Sequence, residues 1–117
     1  MTAEEMKLRT KQLALRIMKL ADSLPRTASG RALAGQIVRS GISVAANYRA
    51  AGKGRSKAEF IAKLGIAEEE ADETQFWLEL VMESGIVPPT RLESLLQEAR
   101  ELTAIIAASR ISASKCK

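Results

Sequence analysis

Apolar positions recur along this chain at intervals of three and four residues, and strand-like alternation competes nowhere, so the periodicity predicts helices throughout. Met6, Leu13, Ile17, Leu20 and Leu24 form one stripe, predicting a first helix over about 3–22. Thr2 and Glu5 at its start have capping-box spacing, in which hydroxyl and carboxylate satisfy free backbone N–H groups. Pro25 and the following Arg-Thr-Ala-Ser-Gly read as a connection. Leu33, Ile37, Val44 and Tyr48 then mark the buried stripe of a second helix over about 29–51, with Gly41 as a small residue that permits close helix contact. Gly52-Lys53-Gly54-Arg55 breaks it, because two glycines are expensive to hold in a helix. Ser56-x-x-Glu59 opens a third helix over about 57–84, in which Phe60, Leu64, Ala67, Ala71, Thr74, Leu78 and Val81 follow a 4-3-4-3-4-3 rhythm. Gly85 and Pro88-Pro89 end it. Thr90-x-x-Glu93 has the spacing of another capping box, and Leu92, Leu95, Ala99, Leu102 and Ile106 predict a fourth helix over about 91–110 with a frayed tail from Ser112. Such helices are each about 30–45 Å long. Short connections force neighbours to run antiparallel. The expected fold is one domain over 1–117, all-α, an up-down-up-down four-helix bundle.

Composition agrees: 46% of residues are apolar yet only 3% aromatic. Apolar runs fall far short of the roughly 20 residues that span a bilayer, so no membrane partner is expected. The acidic Met1–Glu5 lacks the apolar core of a secretory signal. A single cysteine, Cys116, has no internal partner, which reads as a reducing cytoplasm.

Catalytic chemistry is missing. The chain has no histidine, which removes the commonest general base and the Glu-x-x-His ligands of bundle di-metal sites. Gly52-Lys53-Gly54 is too short for a phosphate loop and follows no strand. Glu68, Glu69, Glu70, Asp72 and Glu73 crowd the third helix, and read as a solvated or inter-subunit face. No enzyme activity, metal or cofactor is expected.

Charge is uneven. Residues 1–63 hold 13 Lys/Arg against 4 Asp/Glu, a net +9, and residues 64–117 hold 5 against 10, a net −5. The halves can attract each other within the bundle or between subunits, or present a face to a polyanion. On a helical wheel Arg31, Arg39, Arg49 and Lys53 share an arc of about 80° opposite the buried stripe. Arg55, Lys57 and Lys63 continue it. Such a stripe suits phosphates without reading bases, and no aromatics are interleaved to stack on them; a solvated face is the alternative. A second apolar strip on the third helix, Ile66, Phe76, Trp77 and Leu80, lies among Glu69, Glu70 and Glu73. It reads as a subunit interface, with the acidic helix near a basic surface of its neighbour; alternatively Trp77 buries at the edge of its own core.

Gln36-Ile-Val-Arg39, Ser43-Val-x-x-Asn47 and Arg55-Ser-x-x-Glu59-Phe-Ile-x-x-Leu64-x-Ile-Ala67 together resemble the four-helix-bundle proteins encoded in intervening sequences of 23S rRNA genes, over roughly residues 10–110. The resemblance implies a ring-shaped homopentamer. It extends to the accessory subunit of diversity-generating retroelements, which implies nucleic acid and a reverse transcriptase or ribonucleoprotein as partners. Where relatives often read Ile-Pro-x-Asn-Ile-Ala-Glu-Gly, this chain reads Val44-Ala-Ala-Asn47-Tyr-Arg-Ala-Ala51. Any role of the missing glutamate does not carry over, and Arg49 makes the surface more basic. Asn47 is retained, either as a hydrogen-bonding residue between helices or as part of a binding site. The expectation is a non-enzymatic homo-oligomer binding RNA or DNA through Arg31, Arg39, Arg49, Lys53, Arg55, Lys57 and Lys63. The rival is a protein-interaction scaffold whose charged faces only hold the oligomer together.

Overall fold

The structure is a computed structural model that describes residues 1–115; Cys116, and with it the reading of the lone thiol, lies outside the described residues. Four helices follow in chain order: α1 (Ala3–Ser23), α2 (Ala28–Ala51), α3 (Lys57–Ser84) and α4 (Glu93–Lys115), the last preceded by a 3-10 turn at Pro89–Arg91. They form an all-α bundle with extents of 49 × 21 × 20 Å. Among the described residues no helix is long and apolar enough to cross a membrane.

The starts and stops have local causes. Thr2 and Ser56, both extended, accept hydrogen bonds from the N–H groups of Glu5 and Glu59. α2 begins one residue earlier than its pattern suggests, because Thr27 caps it by accepting from the Gly30 N–H. Gly85 ends α3 in the left-handed region at φ 74°, where a side chain would clash with the backbone.

α4 departs from expectation at both ends. Pro88 and Pro89 fix the backbone so that Thr90 falls inside the 3-10 turn, where it cannot take the extended conformation of a cap. The helix proper starts at Glu93. Its tail is helical to Lys115, not frayed from Ser112; Ser109 and Ser114 turn their hydroxyls back onto the carbonyls of Ile105 and Arg110, so these polar residues do not compete with the helix.

The predicted stripes meet in one core. Met6, Leu13, Ile17, Ile37, Val44, Leu64, Leu78, Leu92, Leu102 and Ile106 are buried in it, while Leu33, Tyr48 and Phe60 pack at its edge. α1 approaches α2 so closely that a Cβ built on Gly41 would lie 2.8 Å from Ile17 Cγ2. α2 and α3 are pinned by a buried bond of 2.9 Å between the Ser40 and Thr74 hydroxyls, and α3 and α4 by Gln75 donating to Thr103 at 2.7 Å. Of the helix pairs that are neighbours around the bundle, α1 and α4 approach least closely. Arg9 spans that seam with a two-pronged bond to Glu98, at 2.6 and 3.0 Å; this bond raises the Arg9 pKa.

Candidate functional surfaces

The bundle spreads the seven basic candidates along its length. Arg31 sits in the first turns of α2, by the α1–α2 connection. Lys53 follows the other end of that helix, about 33 Å away at 1.5 Å per residue. Arg39 lies between and is engaged within the molecule: its guanidinium bonds Glu70 at 2.9 Å and also Glu73. The remaining five, Arg49, Lys53, Arg55, Lys57 and Lys63, gather where α2 turns into α3. Lys7 of α1 joins them, its Cε reaching to 3.7 Å from a Cβ built on Gly52. Arg49, Lys53, Arg55 and Lys57 are exposed, Lys63 is half-buried, and none of the five has a carboxylate within ion-pair distance among the described residues. Such a cluster attracts any polyanion, more strongly at low salt.

The crowded carboxylates of α3 separate once neighbours are in place. Glu68 takes Arg110 of α4, whose pKa rises through that bond, and Glu70 and Glu73 take Arg39. Among the described residues no three such groups are arranged to hold a metal ion. Asn47 bonds the carbonyl and hydroxyl of Ser43, both at 2.9 Å. That is an internal bond of α2 rather than one between helices, because an amide at this spacing reaches back one turn.

The apolar strip of α3 divides in the same way. Ile66, Phe76 and Leu80 stand outward, with Phe76 51% exposed. Trp77 instead packs at the edge of its own core, meeting Phe76 edge-on at 5.2 Å between ring centres. Its indole N–H is buried without a hydrogen-bond partner.

A further apolar surface is a property of two helices at once. Leu15 and Met18 of α1 are 54% and 43% exposed, and Ile42 of α2 is 42% exposed. Together with Ala45 and Ala46 they form a groove of about 360 Å³, edged by Lys7, Lys11 and Arg49. Leu15 and Met18, three residues apart and off the buried stripe of α1, were its trace in the sequence.

Comparison with known proteins agrees with this architecture. The family described as "23S rRNA-intervening sequence protein" matches residues 5–108. A crystal structure from Bacteroides thetaiotaomicron, described as a protein with unknown function from the S23 ribosomal protein family, is 33% identical, with a TM-score of 0.86 over 94% of this chain and 98% of that one. No curated protein matches the sequence.

Proposed function

The chain belongs to the 23S rRNA-intervening sequence protein family, and we propose that it acts there as a non-enzymatic, homo-oligomeric accessory protein of the cytoplasm that binds RNA or DNA phosphates. The observation that carries this reading is the gathering of Arg49, Lys53, Arg55, Lys57 and Lys63 at one end of the bundle, without acidic partners among the described residues. Cations on exposed lysine and arginine stems follow a phosphate backbone without reading base edges. Aromatic stacking contributes little, since the chain has two Phe, one Tyr and one Trp, of which Tyr48 and Trp77 pack at the core edge. Sequence preference is therefore weak. Arg31 lies too far along α2 to share a short nucleic-acid segment with this cluster, and Arg39 is already neutralised by α3. A reverse transcriptase or another ribonucleoprotein component is the partner class that the family resemblance supports, and a pentamer is the assembly it supports.

The test is charge removal at the turn. Lys53→Gln, Arg55→Gln and Lys57→Gln combined are expected to weaken binding of a short RNA or DNA by at least tenfold, with the oligomer mass and helical content unchanged. Unchanged affinity would count against the reading. Dissociation of the oligomer with the same substitutions would favour the scaffold instead; the closure of Arg39 onto Glu70 and Glu73 gives that reading its own support, as basic and acidic halves do attract.

A further inference from the structure

Two surfaces of this molecule differ from each other and match each other. The first is the α1/α2 groove, floored by Leu15, Met18, Ile42 and Ala46 and edged by Lys11 and Arg49. The second is the outward ridge of α3, where Phe76 and Leu80, one turn apart, project among acidic residues. Their charges are segregated in the sequence itself: residues 23–58 carry seven Lys/Arg and no Asp/Glu, and residues 64–90 carry seven Asp/Glu and no Lys/Arg. Inside the bundle Arg39 joins the two regions through Glu70 and Glu73. Glu69, Asp72 and Glu83 on the ridge, and Lys11 and Arg49 on the groove, have no ion-pair partner among the described residues.

Building on the homo-oligomer reading above, we propose that the α1/α2 groove receives the α3 ridge of a second copy, so that subunits join head to tail. Phe76 and Leu80 enter the groove as apolar anchors, the small Ala45 and Ala46 leaving room for the ring. Lys11 on the rim meets the carboxylates that flank the ridge, while Arg49, at the end of the rim, stays with the phosphate-binding cluster. An interface made of two unlike patches is heterologous: it generates a ring when the rotation closes and a filament when it does not. A nucleic acid fits the groove less well, because its phosphates match the rim but leave the apolar floor unsatisfied.

The test uses complementary variants of the full chain, with molar mass read by light scattering and helical content by far-UV circular dichroism. Leu15→Glu with Met18→Glu closes the groove to an acidic ridge. Phe76→Gln with Leu80→Gln removes the anchors. All four positions are exposed, so both variants are expected to keep wild-type helicity. Each alone is expected at the monomer mass of 12.7 kDa. Mixed in equal amounts they are expected to form a dimer and stop, because one intact groove and one intact ridge remain. Either variant keeping the wild-type oligomer mass, or a mixture that stays monomeric, would overturn the head-to-tail interface and leave the homo-oligomer reading intact. A wild-type protein that is monomeric throughout would overturn both. A groove occupied by an acidic segment of another protein would appear as that monomeric result.

Discussion

Two glycines of α2, six residues apart, should respond differently to the same substitution. Gly35 is exposed, with nothing within 4 Å of a Cβ built on it. Gly35→Ala therefore adds helix propensity and removes freedom from the unfolded chain, a gain of about 0.5–1 kcal/mol. Gly41→Ala has the same gain on offer, but its Cβ would lie 2.8 Å from Ile17 Cγ2 and 3.1 Å from Ile17 Cβ. Ile17 is fully buried, and its branched carbon sits next to the main chain, so it cannot swing away as a long side chain would. Relief requires α1 and α2 to move apart, and overpacking of this kind costs about 1–3 kcal/mol. The net effect at position 41 is then between neutrality and a loss of about 2.5 kcal/mol, and the two variants should differ by about 1–3 kcal/mol. Urea titrations followed by far-UV circular dichroism measure the difference, at one fixed protein concentration because any association of the folded chain adds to apparent stability. A Gly41→Ala variant as stable as Gly35→Ala would refute the close α1–α2 approach, and with it the geometry of the groove those helices form.

The helix starts make a second set. Thr27→Ala and Ser56→Ala should each lose about 1 kcal/mol, whereas Thr90→Ala, inside the 3-10 turn, should change urea stability by less than about 0.5 kcal/mol. Arg39→Ala should lower stability by about 1 kcal/mol or less, as expected of a half-exposed ion pair, while nucleic-acid affinity falls less than twofold in a titration; a tenfold loss would place Arg39 among the phosphate contacts. Burial raises the Tyr48 phenol above its ordinary value of about 10. The unfolded chain then releases that proton first, so the contribution of Tyr48 is fully present below about pH 10 and declines as pH rises toward the folded-state value. Tyr48→Phe should accordingly shift the midpoint of alkaline unfolding upward.

Helix α3 was legible to the residue because its signals are local and agree: Ser56 caps it, Gly85 stops it, and seven striped positions, six of them buried, keep time between them. The start of α4 was not, because a Thr-x-x-Glu spacing says nothing about the backbone that two preceding prolines impose. Serines at the end of α4 read as fraying, yet their hydroxyls find carbonyls of the same helix. The site was harder still. A helical wheel groups Arg31, Arg39 and Arg49 by angle but carries neither their separation along the axis nor the carboxylates that α3 brings to Arg39. For Trp77 the sequence left two readings open, a subunit interface or the edge of its own core, and the packed bundle decides: Phe76 faces out while Trp77 packs in. The groove was hidden for a similar reason: half of it belongs to α1 and half to α2, and each half alone resembles scattered exposed apolar residues.

The central claim is that the basic end of the bundle holds phosphates, and the salt dependence of affinity tests it most directly. Fluorescence anisotropy of a labelled short duplex should give log Kd against log salt as a straight line. Four or five phosphate contacts correspond to a slope magnitude of about 4. The combined Lys53, Arg55 and Lys57 variant should flatten it by about 3. Binding that does not change between low and moderate salt, or no binding at low salt, would contradict the account.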